Sequence, residues 1–490
     1  MKRIWLAVGI HCLFGLASHA QLAALNPIAD LVQAFIDRSF AITYERPLTP
    51  EESTWIWSVV SVIFLIGCAV GSSCFGYIAD RLGRRVSLML VSNVFCIVGS
   101  FIQFGAIEAA RFELLIVGRF LVGFAAGICP LLSVYVAECS VLENGAFFGS
   151  MILASLQFLV AFGAAFNLPF LLGREPLWPY SLLLPALPSL LHILCGFYLA
   201  RSPKHLYITL GEREEAKRSF LFYNGSRCDW DAESEVYDQE KSLQTTRSEE
   251  SATLLEILRT RHLRWPFILC VVVSASITFG GTDIANLYSS QMMRVLGVSR
   301  AHSSLFTVLA LQLPSATLGA VVVLSRAMDR FGRKALFLVG TACGVAATTS
   351  LFLAGLDVAP VALGAVGLVL SQCSIFLGPD FVAGVLPAEL APQNSRALTG
   401  GVSWTAHWLT TLLITFCYHP LSEIVGPGFA VLPLVVAGVL AFVFLGWKLP
   451  ETKNTTVEEV VSQWVDADFW RDDEKHVELR EREGMNRDDL

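Results

Sequence analysis

Twelve apolar stretches separated by mostly short polar loops constrain this chain more than any other feature. A helix needs about 20 apolar residues to cross the hydrocarbon core of a bilayer. Runs of that size stand near 4–26, 54–79, 86–106, 112–135, 146–172 and 178–200, then 265–290, 302–325, 335–356, 359–387, 397–418 and 426–448. In chain order they are spans one to twelve. The reading is an all-α membrane protein with twelve transmembrane helices. Composition agrees. Of 490 residues, 54% are hydrophobic and 16% charged, with a mean hydropathy of +0.58. Soluble domains carry roughly 25% charged residues. A soluble multidomain protein and a disordered chain are both excluded.

Span one has a second reading. Lys2-Arg3, an apolar run and the small residues Ala17, Ser18 and Ala20 also fit a secretory signal. The run continues through Leu25, longer than an ordinary signal core, and removing it would leave an odd number of spans.

Charge placement gives the orientation. With Lys2-Arg3 inside, the short inner loops carry Arg81, Arg84, Arg85, Arg326, Arg330, Arg333, Lys334 and Arg396, and the outer loops carry Arg38, Arg46, Arg111, Arg174, Arg294 and Arg300. Basic residues favour the cytoplasmic side, so both termini are expected in the cytoplasm. The net charge of −7 belongs to residues 449–490, which hold 13 acids and 6 bases; the rest of the chain balances. No basic patch suggests nucleic acid. The 12 cysteines are scattered in apolar stretches with no metal-ligand spacing. No nucleophile motif or phosphate-cradling loop suggests an enzyme or a cofactor.

Two loops nearly copy each other: Asp80-Arg81-Leu82-Gly83-Arg84-Arg85 and, 249 residues on, Asp329-Arg330-Phe331-Gly332-Arg333-Lys334. A second pair, Ala137-Glu138-Cys139 and Ala388-Glu389-Leu390, lies 251 residues apart. A common period implies a six-span unit duplicated in parallel, a plan in which substrate binds between the halves. The expected parts are 1–200, a cytoplasmic linker at 201–264, a second half at 265–448 and an acidic tail at 449–490. Glycine permits the tight turn in each loop, and the arginines after it can reach Glu138 and Glu389. Such partly desolvated pairs are costly to break. They serve either as state-selective inner gates or as static anchors of the loops.

Taken in order, the motifs resemble those of the sugar-porter family of the major facilitator superfamily, and in particular the animal facilitative glucose transporters. Gly118-Arg119-Phe120 with Gly123 and Gly127 is similar to a span-four motif of that family, and Tyr135-Val136-Ala137-Glu138 to its Y-V-x-E. Ser202-Pro203-Lys204 is similar to the end of P-E-S-P-R, with Ala200-Arg201 where Pro-Glu is expected. Thr253 to Arg259 is similar to the segment leading into span seven. Pro450-Glu451-Thr452-Lys453 with Glu458-Glu459 is similar to the closing P-E-T-K signature. The resemblance implies the twelve-helix fold in two halves, helices in the cytoplasmic linker, alternating access and a sugar or polyol substrate. The candidate gating set is then Asp80, Arg84, Arg85, Arg119, Glu138, Asp329, Arg333, Lys334, Glu389, Arg396 and Glu451.

The binding positions depart from the pattern. Where the family has Q-Q-L-S-G-I-N, this chain has Ile277-Thr278-Phe279-Gly280-Gly281-Thr282-Asp283. The resemblance places Thr317 at an asparagine of span eight, Ser403-Trp404 and His407 at N-W-x-x-N of span eleven, and Gln157 near a glutamine of span five. The tryptophan of span ten is absent from Gly378-Pro379-Asp380-Phe381-Val382-Ala383-Gly384. Gln21 falls where proton-coupled members place an acid, which favours uniport. The candidate substrate-binding set is Gln21, Gln157, Thr278, Asp283, Thr317, Ser403, Trp404 and His407. Sites built to pair hydroxyls reject partners that cannot pair, so the lost amides count against glucose itself.

Asp283 has three readings: a counter-charge for a cationic substrate, a proton carrier, or a cap bonded to a neighbour such as His407. Trp55 and Trp57 are expected at the membrane interface, and the tail from Val457 to about Trp470 as an amphipathic helix. The expected function is a facilitative hexose or polyol carrier in the plasma membrane. A same-fold carrier of an organic ion and a non-transporting nutrient sensor are the alternatives. The sequence gives no oligomeric state.

Overall fold

The computed structural model describes residues 2–208, 210–225, 228, 230–246, 253–295, 298–356, 360–453, 455 and 460, and its regular structure is helical throughout. The amphipathic helix expected after Val457 lies outside the described residues. Among the described residues, ten helices are long and apolar enough to cross a membrane. The other two expected spans are helical as well. Span four is a 17-residue helix, Phe112–Ile128, parted at Cys129-Pro130 from Leu131–Cys139. Span eleven is one 33-residue helix, Gln393–Val425, whose middle is diluted by Ser403, Thr405, His407, Thr410, Thr411 and Thr415.

The linker contains helices at Pro203–Ile208, Arg213–Asn224, Trp230–Thr246 and Leu254–Arg259. It is tied to span four by Tyr135, whose hydroxyl bonds the Ala200 carbonyl and the Tyr223 hydroxyl. Burial, and next the neighbouring Cys139, push the Tyr223 phenol above its ordinary range. It therefore stays protonated and stands 2.7 Å from the same carbonyl, so one phenol donates to Ala200 O and the other to its neighbour phenol.

The outer segment holds a helix the apolar pattern did not announce, Ala29–Tyr44. Val32, Phe35, Ile36 and Phe40 on its inner face cover Trp57 and Trp178. Trp57 is thus a core residue, 2% exposed, while Trp55 is 52% exposed. The burial of Trp57 contradicts the interface expectation for that residue.

Small residues let spans two and four approach closely. A methyl group added at Gly123 would collide with the Phe64 carbonyl, and one at Gly127 with that of Cys68. This is the physical content of the glycine spacing in span four, since helices in lipid gain by close backbone approach.

The two six-helix halves meet along span two against eleven and span five against eight. At the end of the bundle that carries the helix Ala29–Tyr44, the halves are closed on one another. Asn26 Nδ2 donates to the Asn286 carbonyl at 3.0 Å and to Ser289 at 2.8 Å, and its Oδ1 accepts from Ser290 N at 3.0 Å. Arg294 pairs with Asp30 at 3.0 Å, and Thr54 donates to Glu423 at 3.2 Å. Toward the inner side, Arg326 stacks over Phe147 and Ser73 bonds Thr405 at 3.1 Å.

Candidate substrate site and inner gate

Span seven is not a continuous helix. Arg261–Ser276 tightens into a 3₁₀ turn at Ile277–Gly280, and Gly281 adopts φ 79° before a second helix, Thr282–Val295. The left-handed residue must be glycine or strained. A broken helix frees backbone groups, and this is tolerated where they line a protein-enclosed site. The break presents Thr278 and Asp283 to span eleven. Asp283, 6% exposed, accepts from Thr411 at 3.1 Å. Thr278 bonds Thr411 at 2.8 Å and stands 3.5 Å from His407 Nδ1. The Trp404 ring meets His407 edge-on at 5.7 Å.

A second set of polar groups lies across the two halves. Gln157 of span five donates to Gln312 of span eight and, at 3.2 Å, to Ser315. Gln312 donates onward to Asn286 Oδ1 at 2.8 Å, and Gln372 of span ten donates to the same oxygen at 2.8 Å. With Asn26 on the Asn286 carbonyl, five amides from spans one, five, seven, eight and ten form one buried network. The Gln372 Oε1 within it has no partner among the described residues. The positions that the family pattern singles out still lack their amides; this network stands at other positions of the same bundle. Sequence reasoning missed Asn286, Gln312 and Gln372. Their signal was being lone amides inside apolar spans, where polar groups are costly.

Three expected binding residues lie elsewhere. Thr317 shares its helix face with the exposed Leu309, Leu313, Val321 and Leu324, and its hydroxyl bonds its own helix at Leu313 O and Pro314 O. Ser403 gives its hydroxyl to Thr399 O at 2.7 Å. Gln21 is buried within the first half, donating to Leu182 O at 3.0 Å and accepting from Gln103 at 2.8 Å. Thr317→Val is expected to leave transport KM unchanged and stability within about 0.5 kcal/mol, measured by flux and by thermal melting in detergent. A markedly raised KM would place Thr317 back on the substrate path.

The end of the bundle that carries the linker helices holds two matching ion clusters. Arg333 clasps Glu389 from Nη2 at 2.7 Å and Nε at 3.0 Å, and Thr452 adds its hydroxyl to the same carboxylate. In the first half Arg84 Nε stands 3.6 Å from Glu138, and Ser202 donates to that carboxylate at 2.6 Å. Ser202 and Thr452 are 250 residues apart, the period of the repeat, and complete each cluster. Glu451 has a different task. It accepts from the backbone N–H groups of Arg333 at 2.8 Å and Lys334 at 3.1 Å, capping the helix Arg333–Gly355. A negative group suits a helix N-terminus. Gly332, at φ 87°, leaves room there, because a methyl group would meet that carboxylate. The first half has Arg201 at the matching place, so its clusters are not equivalent.

Other expected gating residues are bonded differently. Arg85 donates to Gly196 O at 2.6 Å, and Arg396 to Ala391 O at 3.3 Å. Arg119 is fully buried and donates to Val60 O at 2.9 Å; its Nη1 has no partner among the described residues. It joins span four to span two and takes no part in an ion pair among the described residues. The side chains of Asp80 and Asp329 lie outside the described ones.

The fold and its polar interior define a multi-pass membrane carrier built on the major facilitator plan. Residues 10–464 match the family model described as "Sugar (and other) transporter". The chain belongs to that family of transporters. It is 26% identical to the chicken (Gallus gallus) facilitated glucose transporter member 1, covering 94% of this chain and 92% of that protein. It is 28% identical to the human facilitated glucose transporter member 9 over 90% and 81% of the two chains. Among solved structures, the proton:xylose symporter XylE bound to 6-bromo-6-deoxy-D-glucose superposes with a TM-score of 0.78 at 20% identity, covering 95% of this chain and 99% of that one.

Proposed function

We propose that the chain carries a hexose or related polyol across the plasma membrane by facilitative uniport, with both termini in the cytoplasm. The observation that carries this reading is the buried amide network of Asn26, Gln157, Asn286, Gln312 and Gln372 at the junction of the halves. Amides offer donors and acceptors in pairs, the complement of vicinal hydroxyls. The sugar transporters among the relatives support the same substrate class. The halves 1–200 and 265–448 rock against each other about this junction, joined by 201–264, while 449–490 is a solvated tail. Uniport is supported by Gln21, an amide that cannot titrate, bonded to Leu182 and Gln103.

One observation favours a second reading. Asp283 and Asp380 stand close enough to interact, with no lysine or arginine paired to either among the described residues. A cationic organic substrate would suit them. Uptake of labelled glucose, fructose, a cyclic polyol and a quaternary amine into proteoliposomes separates the two. Saturable sugar or polyol flux, indifferent to the amine, is expected. Amine flux without sugar or polyol flux would replace the first reading with the second.

A further inference from the structure

The break in span seven brings together four groups that form one chain of hydrogen bonds: Asp283 to Thr411 at 3.1 Å, Thr411 to Thr278 at 2.8 Å, and Thr278 to His407 Nδ1 at 3.5 Å. Asp283 and His407 are each 6% exposed, and Thr278 and Thr411 are fully buried. We propose that Asp283 and His407 hold one transferable proton between them across this two-hydroxyl bridge, and that its presence sets the turnover rate of the carrier.

The bridge supports two opposite orders. With the proton on His407, its Nδ1–H donates to Thr278, Thr278 donates to Thr411, and Thr411 donates to ionised Asp283. Transfer breaks the Nδ1–H bond, passes each hydroxyl proton one place along and forms an O–H bond on Asp283. Imidazolium and carboxylate become imidazole and carboxylic acid, and the total charge is unchanged. The 3.5 Å link is the long step. A small slide of span eleven along span seven closes or opens it, which couples the proton's position to helix movement. The transfer is internal, so pH alters the rate and leaves the driving force alone. That separates this relay from coupled transport.

Few other titratable groups face the bridge. Asp380, on the first turn of Pro379–Leu390, adds a second negative charge beside Asp283. From span ten, Ser371 and Gln372 engage Thr282. On span eleven, His419 and Glu423 stand 4.0 Å apart at the outer end, and on span eight His302 bonds Ser299. His407 is flanked by the rings of Trp404 at 5.7 Å and Trp408 at 4.9 Å. Those rings report its protonation, because an imidazolium quenches indole fluorescence.

The transport part of the test rests on the carrier reading; the fluorescence part does not. Tryptophan fluorescence of the full chain in detergent is titrated between about pH 5 and pH 8, as the difference between wild type and His407→Gln. A single quenching step is expected. In Asp283→Asn the step leaves its wild-type position, since the carboxylate that shares the proton is gone. A step at the wild-type pH in Asp283→Asn overturns the proposal, as does the absence of any step in wild type. In proteoliposomes with equal pH on both sides, wild-type hexose flux varies with pH. The near-isosteric Thr411→Val flattens that profile, and so does Asp283→Asn. Profiles that overlay wild type in both variants overturn the relay while leaving the sugar reading intact. Sugar accumulation against its gradient, driven by a pH difference, also overturns it. No sugar flux from folded protein defeats the sugar reading alone, and the fluorescence step then decides the relay.

Discussion

Gln312→Leu lowers hexose flux by roughly ten- to hundredfold at near-normal protein abundance. Gln312 is fully buried and stands between the halves, accepting from Gln157 and donating to Asn286. Leucine fills a similar volume but leaves both neighbours short of a partner. Gln157 keeps Ser315 and Asn286 Oδ1 keeps Gln372, so each neighbour loses one of two hydrogen bonds, at about 0.5–1.5 kcal/mol each. That cost falls on states in which the halves are closed at this level, so it appears in turnover more than in folding. Gln312→Glu is the informative companion. It keeps the acceptor for Gln157 and loses the donor to Asn286, so an intermediate loss is expected. Flux equal to wild type in Gln312→Leu would remove the network from the substrate path.

Glu389→Ala slows turnover roughly tenfold, while Glu138→Ala slows it only a few-fold. The carboxylate of Glu389 takes a clasp from Arg333 and a hydroxyl from Thr452, with the ion pair only 16% and 25% exposed. Charge-assisted hydrogen bonds of this kind are worth about 1.5–3 kcal/mol each in buried settings, and the partial exposure reduces that. The Glu138 cluster is looser, with Arg84 at 3.6 Å and Ser202 as its close donor. Initial flux rates, normalised to the amount of protein reconstituted, measure the difference. The charge swap Arg333→Glu with Glu389→Arg recovers part of the Glu389→Ala loss if the pair acts as a gate. Equal, small effects at both positions would reduce the clusters to loop anchors.

The inner clusters were legible because they are built from adjacent residues in short loops that recur at one period. Their third members, Ser202 and Thr452, keep that period, but hydroxyls in loops carry no signal until a carboxylate is seen beside them. The spans were legible because apolar length is a direct requirement of the bilayer. The helix Ala29–Tyr44 was missed because its apolar face is short and its other face polar. Helix rotation was the weakest inference. Thr317 and Gln312 are five residues apart, which places them well over 100° apart around an α-helix. A π turn over Thr307–Gln312 rotates the rest of span eight away from a regular count. Thr317 therefore turns to the exposed face of span eight, and Gln312 to the buried face between the halves. Asp283 was read correctly as a buried charge within a span; which neighbour it meets depended on the break at Gly281, which the Gly280-Gly281 pair hinted at without giving its geometry.

Counterflow in proteoliposomes tests the central claim most directly. Vesicles loaded with unlabelled hexose or polyol, diluted into a trace of the labelled compound, should show a transient uptake overshoot with wild-type protein and almost none with Gln312→Leu. An overshoot arises only if one site, alternately exposed, carries substrate in both directions. Its absence for every hexose and polyol tried, from protein shown to be folded, would contradict the account of this chain as a sugar or polyol uniporter.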